Sequence, residues 1–320
     1  MGVQTRQANY QAGKLESFAN SLHISSFSKF VNKTLWDKFT KANKDIIDKI
    51  NIWRNYMNLY EVDYTKPTGK YAAAIKEYNE FWSQGQIDFS KASDPIEKFD
   101  DETRKFIYNF NSKFPNNVVW HYHRDKTSVD LEVSALRKVI NSAKNEHDIQ
   151  DYIKKNRKWF IPASIFKEYN FGHKETYLFP EMKLGSSMQA DYVLCGRNSD
   201  GYNLILVEFE SPASTFVLTD GYKLSASANS GLGQINQWKE WMESNNTTFF
   251  NEHKFTEKGI NVPITRIHYC LVISRRNQME TNDRDRKNRI ISESTNLNII
   301  NYDRVCDYVS NLDEGYSTYR

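Results

Sequence analysis

Asp191, Glu208 and Glu210 are acids set inside apolar runs that read as β-strands. The runs are Gln189-Ala190-Asp191-Tyr192-Val193-Leu194 and Leu204-Ile205-Leu206-Val207-Glu208-Phe209-Glu210-Ser211-Pro212. Between them lies a polar, glycine-bounded turn, Gly196-Arg197-Asn198-Ser199-Asp200-Gly201, so the two runs predict a hairpin. In that hairpin Asp191 and Glu208 lie side by side. Glu208 and Glu210 are two apart and share a face, because strand side chains alternate. Three carboxylates on one face repel each other unless a cation sits among them. Oxygen-only ligation of that kind suits Mg2+ or Mn2+. The chemistry such a group supports is metal-dependent hydrolysis of phosphodiester bonds. The plainer alternative makes Asp191 and Glu210 edge-strand gatekeepers or salt-bridge partners. Glu208 resists that alternative, since it directly follows the apolar run Leu204–Val207.

These acids need a scaffold, and the sequence supplies the signals for one. Helical periodicity covers about Asp130–Ala143 and Glu146–Lys155, and strand-like runs follow at Thr176–Leu184, Met188–Cys195 and Tyr202–Ser211. A helix is then expected over Leu232–Asn245, a buried strand over Arg266–Ser274, a short strand over Leu297–Tyr302, and a last helix. Strands grouped and flanked by helices give an α/β core, a mixed sheet covered on both faces. Upstream, Leu35, Phe39, Ala42, Ile46, Ile50, Trp53, Met57 and Tyr60 recur at spacings of three and four, which predicts one long amphipathic helix. Further helices are expected over Lys70–Trp82 and Asp94–Phe114, the latter with Asp94 as N-cap and Pro95 in its first turn. The polar run Arg124–Ser128 is a candidate linker. The chain therefore divides into a mostly helical N-terminal domain, 1–130, and an α/β domain, 131–320.

The order of elements, together with Gln189-Ala190-Asp191-Tyr192, Val207-Glu208-Phe209-Glu210-Ser211-Pro212 and Gly233-Gln234-Ile235-Asn236-Gln237-Trp238-Lys239-Glu240-Trp241, resembles the PD-(D/E)XK nuclease superfamily. The likeness is strongest to the nuclease domain of Shedu-type anti-phage defence proteins. It covers the C-terminal ~180 residues, on the scale of a single domain. The resemblance implies a restriction-endonuclease-like core in which Asp191 and Glu208 are metal ligands, with the Phe209 carbonyl as a further oxygen. It also implies that Gln234 supports a water or a phosphate oxygen. At the third motif position the chain departs from the pattern, with Glu210 where lysine is expected. Glu210 then acts as a base or as a ligand to a second metal. A lysine from another element would fill the gap, and Lys183, Lys223 and Lys239 are candidates. The implied function is Mg2+- or Mn2+-dependent cleavage of double-stranded DNA, phage DNA included, by a homo-oligomer such as a tetramer. A DNA-binding or sensor protein on a degenerate nuclease fold is the rival reading, and RNA is a further possible substrate.

Other residues carry weaker signals. Glu146 and Gln150 lie four apart on one helix face, where related nucleases often place an acid beside the metal. Glu181 is a comparable outside candidate. Arg275, Arg276, Arg284, Arg286, Lys287 and Arg289 could form a phosphate-contacting stripe. Trp238 and Trp241 read as core rather than as base-stacking platforms, and Gln237 as surface. His121 and His123 share a strand face, with no third ligand nearby. A net charge of +3 over 320 residues advertises no global basic field, so any nucleic-acid surface must be local. Cys195, Cys270 and Cys306 form no CxxC pair, which argues against a zinc site or a disulfide framework and for a reduced, cytoplasmic setting. The opening Met1–Gln7 has no apolar signal core, and no run approaches ~18 apolar residues, so a membrane partner is not expected.

Overall fold

The computed structural model describes residues 63–83, 95–119, 126–172, 175–218 and 223–312. The chain divides into two compact units, Met1–Asn58 and Leu59–Arg320, and every described residue belongs to the second. The stripe from Leu35 to Tyr60 and the pair His121 and His123 lie outside the described residues.

The described part of the N-terminal region is helical. Helix α1 spans Gly69–Ser83, close to the expected range. Helix α2 spans Asp101–Phe110, not Asp94–Phe114, and its N-cap is Asp100, whose side chain accepts from the Thr103 N–H. Pro95–Lys98 forms a separate 3-10 turn. A residue positioned three before a free N–H caps a helix, and Asp100 has that partner. Between the two helices lies a small core of Ala74, Ile75, Ile96, Phe106 and Ile107, with Tyr71 stacked on Phe106 at 4.2 Å.

Helix α3, Lys126–Ser142, begins inside the expected linker, so Lys126–Ser128 are helical rather than linking. Helix α4, Glu146–Asn156, is capped by Asn145, which accepts from the Asp148 N–H, and stops at Arg157 in the left-handed region. A short helix α5, Phe160–Ala163, leads into the sheet.

Five strands follow: β1 Thr176–Leu184, β2 Met188–Asn198, β3 Gly201–Phe209, β4 Ile267–Val272 and β5 Leu297–Ile300. Their order is β1-β2-β3-β4-β5, antiparallel across the first three and parallel across β3, β4 and β5. The mixed sheet is the one the sequence pattern predicts. The hairpin is tighter than expected. Arg197 pairs with Tyr202 and Asn198 with Gly201, leaving only Ser199 and Asp200 in the turn. Asn198 closes it by accepting from the Asp200 N–H, and Gly201 supplies the φ of 123° that a bulky residue would not adopt.

The crossover from β3 to β4 carries helix α6, Ala226–Glu252, capped by Ser225. It outruns the expected Leu232–Asn245 at both ends, because its flanking turns are rich in Ser, Asn and Thr and carry little apolar periodicity. Helix α7, Thr281–Glu293, has no counterpart among the expected elements. Its sequence is almost wholly polar, with Ile290 and Ile291 packing against the core. Helix α8, Tyr302–Ser310, closes the described chain.

Strand β3 is buried on both faces, as expected where parallel pairing puts helices on each side. Leu204 and Leu206 face Ile235, Trp238 and Met242 of α6. Ile205, Val207 and Phe209 face Ile149 and Ile153 of α4 and Tyr302 of α8. Trp238 is a core residue, in line with the sequence pattern. No helix among the described residues is long and apolar enough to cross a membrane.

Candidate active site

The β2–β3 ladder ends at Tyr192 opposite Val207. One residue further on, the strands part. The carboxylate of Asp191 fills the fork and accepts a hydrogen bond from the Phe209 N–H at 2.7 Å. A side chain thus replaces the backbone acceptor that a continued ladder would have offered. In an extended strand a residue's C=O points the same way as its N–H, so the Phe209 carbonyl is aimed toward the Asp191 side. On the other edge of β3, Glu210 N–H donates to the Val272 carbonyl at 2.8 Å, and the Glu210 carbonyl accepts from the buried Tyr302 hydroxyl at 2.6 Å. The strand end that carries the acids is therefore held from both sides. It lies at the carboxyl ends of β3 and β4, the usual place for a ligand crevice in an open α/β sheet.

Glu208 and Glu210 have the strand parity of Leu204 and Leu206, on the side covered by α6. Gly231 of α6 makes room there. A Cβ at Gly231 would come within 2.6 Å of Leu271 Cδ1 and 3.0 Å of Glu210 Cγ. Ser230, next to it, is close enough to the Glu210 carboxylate to favour its charged form. From the opposite face α4 brings Glu146 and Gln150, one turn apart, and Gln150 is close enough to Asp191 to favour its charged form.

The electrostatics are those of like charges crowded out of water. Burial raises the Asp191 carboxyl above the usual carboxylate range, opposed by the Phe209 N–H, Gln150 and Lys154 and reinforced by Glu146. Glu208 is raised further, again first by burial and then by the charges of Asp191, Glu210 and Glu146. Glu210 is raised by burial and by Glu146 and Asp191, against the opposing influence of Ser230. Glu208 is 7% exposed, and its Oε2 is buried without a hydrogen-bond partner. A buried carboxylate oxygen left unpaired calls for a proton, a water or a cation. Among the described residues no three acidic, thiol or imidazole groups form a ready-made ion cage. The four carboxylates are electrostatic neighbours at an open fork, and the donor set, all oxygen, fits a hard divalent ion.

Of the residues singled out in the sequence, Asp191, Glu208, Glu210 and Glu146 come together. Gln234 lies one turn beyond Ser230 on α6, but its side chain donates to the Gln189 carbonyl at 3.4 Å rather than to a carboxylate. It braces the run that carries Asp191. The three lysines proposed for the motif gap are placed elsewhere. Lys183 is exposed on β1, Lys239 lies over the Tyr269 ring at 5.3 Å, and Lys223 sits in the segment that leads into α6. The lysine that does reach the cluster is Lys154, which sequence reasoning missed. Its signal was present: Glu146, Gln150 and Lys154 recur every fourth residue along α4, between the buried Ile149 and Ile153. Glu181 lies opposite Asp191, bracketed by the pairs Pro180 with Tyr192 and Met182 with Ala190, and it contacts Lys154.

Of the expected arginine stripe, Arg275 and Lys287 are partly buried, and Arg276, Arg284, Arg286 and Arg289 are exposed. Arg275 makes a two-pronged bond to Asp303, both arms at 2.9 Å, and also reaches Asn141. Arg276 pairs with Asp307, and Arg289 with Glu293 at 2.8 Å. Burial lowers Lys287, which is half-buried. Arg284 and Arg286 stay exposed.

Fold and site together define an α/β protein with mutually interacting carboxylates, one of them buried, at the carboxyl end of its central strands. The family model for the C-terminal part of the Shedu protein SduA matches residues 143–306, just over half of the chain, and the protein belongs to that family. The matched span runs from just before α4 through the whole sheet into α8, so it contains every carboxylate of the cluster. Membership suggests a role in anti-phage defence. No curated protein matches the chain significantly.

Proposed function

We propose that the protein is a Mg2+- or Mn2+-dependent DNA endonuclease of the PD-(D/E)XK type acting in anti-phage defence. The observation that carries this reading is the buried, unpartnered carboxylate of Glu208 between Asp191, Glu210 and Glu146. Nothing in folding alone gains from collecting four acids at one strand end. A divalent ion would be held by Asp191 and Glu208, with the Phe209 carbonyl as a further oxygen. When bound, such an ion lowers the pKa of water and offsets charge on the scissile phosphate. Glu210, whose carboxyl is raised by burial, would take the proton of the attacking water. The Phe209 N–H keeps the Asp191 carboxylate oriented, Gln150 favours its charged form, and Gln234 braces the strand behind it.

The wider reading is a cytoplasmic homo-oligomer, of the order of a tetramer, in which a helical module to residue 130 restrains a nuclease domain from residue 131. Double-stranded DNA is its substrate. The test is incubation of the full-length protein with supercoiled and linear duplex DNA plus Mg2+ or Mn2+. Cutting that vanishes in Asp191→Ala supports the enzyme. A second reading, a DNA-binding sensor on a degenerate nuclease fold, is favoured by Glu210 at the lysine position and by the open arrangement of the acids. Tight binding without cutting in the same assay would decide for it.

A further inference from the structure

Among the described residues, the cation that acts on Asp191 is Lys154. Lys154 projects from α4 in line with Glu146 and Gln150, and its Nζ contacts Glu181 Oε1. Both side chains are about one-third exposed, at 33% and 30%, so the pair is half-buried rather than in the core. Lys154 also acts on Asp191, favouring its charged form. Glu181 has φ 54°, an unfavourable conformation for a residue with a side chain, in the middle of β1 and directly across from Asp191. Backbone strain of this kind persists where surrounding structure enforces it, and it gathers at functional sites. A pair this exposed adds little to stability. The strained backbone at Glu181 therefore needs another explanation, and directing the Lys154 ammonium provides one.

Resting on the nuclease reading above, we infer that Lys154 is the catalytic cation that β3 lacks, contacting a non-bridging oxygen of the scissile phosphate, and that Glu181 is its positioning residue. In the reaction water gives a proton to Glu210 as its oxygen bonds to phosphorus, the P–O bond to the leaving strand breaks, and the departing oxygen takes a proton from solvent water. Lys154 keeps its proton throughout and contributes only charge, which grows in value as the phosphoryl oxygens become more negative in the transition state. Placing the cation on a helix separates it from the metal-binding strand, so Glu210 is free to serve as a carboxylate where a lysine would otherwise stand.

The experiment uses the full-length protein and two readouts, single-turnover cleavage of linear duplex DNA and calorimetric Mn2+ binding. Lys154→Met should lower the cleavage rate ~100-fold or more, the scale of removing one transition-state donor. Its Mn2+ affinity should stay the same or rise, since a positive charge near Asp191 is gone. Lys154→Arg should recover part of the rate. Glu181→Gln should lower kcat with little change in KM for DNA. A Lys154→Met protein that cleaves as fast as wild type overturns the inference and leaves the nuclease reading standing. Loss of cleavage together with Mn2+ binding makes Lys154 a structural residue and overturns it too. Wild-type protein that neither binds Mn2+ nor cleaves removes the nuclease reading, and the role of Lys154 with it.

Discussion

The Asp191 carboxylate accepts the Phe209 N–H at 2.7 Å, across the point where β2 leaves β3. Phe209 lies between Glu208 and Glu210, so one bond fixes the spacing of all three acids. The two functions of Asp191, structural acceptor and charge, are separable. Asp191→Ala leaves a buried donor unpaired and should cost about 1–3 kcal/mol of stability. Asp191→Asn can still accept through its amide oxygen and relieves the crowding of charge, so it should melt no lower than wild type. Both variants should abolish cleavage. Thermal melts alongside the plasmid assay distinguish the two effects.

Burial and neighbouring acids raise Glu208, so the folded state holds a proton there that the unfolded chain has released. The unfolded state therefore binds fewer protons, and stability falls as pH rises from the ordinary carboxylate range toward the raised value. In EDTA the wild-type protein should lose stability from pH 5 to pH 8. Glu208→Gln should flatten that loss by about 1–3 kcal/mol, because each tenfold difference in proton affinity between folded and unfolded chain is worth about 1.36 kcal/mol. Denaturant titrations at the two pH values check it. Equal slopes for both proteins would mean Glu208 is not strained by charge.

Gly231 and Gly233 lie two apart on α6 and should respond oppositely to alanine. At Gly231 a methyl meets Leu271 and Glu210, so Gly231→Ala should destabilise by about 1–3 kcal/mol and displace the Glu210 carboxylate. At Gly233 nothing lies within 4 Å, so the helix propensity of alanine should stabilise by about 0.5–1 kcal/mol. Chemical denaturation of the two variants reads the contrast.

Arg275 and Arg284 should also separate. Arg275 is 17% exposed and ties Asp303 at the start of α8 to the end of β4. Arg275→Ala should cost about 2–4 kcal/mol by leaving Asp303 short of its partner. Exposed Arg284→Ala should leave stability unchanged and weaken DNA binding uniformly across sequences, lowering the salt slope by about 1. Melting curves and binding titrations across a salt series test both. An unchanged slope would remove Arg284 from the DNA surface.

The sheet was legible because its signals are local. Apolar runs bounded by Gly, Asn and Asp marked β1 to β5, and Asp191, Glu208 and Glu210 stood out as charges inside them. The helices were less so. Helix α7 has no apolar stripe, and Asp100 rather than Asp94 caps α2 because the choice depends on which N–H the folded chain leaves free. The cation near the site was only partly legible. The spacing of Glu146, Gln150 and Lys154 puts Lys154 on their face of α4, but only the docking of that helix shows that its charge, rather than that of Lys183, Lys223 or Lys239, acts on Asp191. Gln234 was expected to face the carboxylates, whereas its side chain donates to the Gln189 carbonyl, a bond that depends on the path of β2 and could not be read from spacing. The arginines after β4 looked like a stripe, but Asp303, Asp307 and Glu293, distant from several of them in sequence, claim three of them.

The proposed metal centre is tested most directly by a crystal of the full-length protein soaked in Mn2+ and measured for anomalous scattering. A single strong peak is expected at the β2–β3 fork, within coordination distance of Asp191 and Glu208, and it should disappear in Glu208→Gln. A fully soaked crystal with Mn2+ bound elsewhere and none at the fork would contradict a metal-dependent site built on these acids.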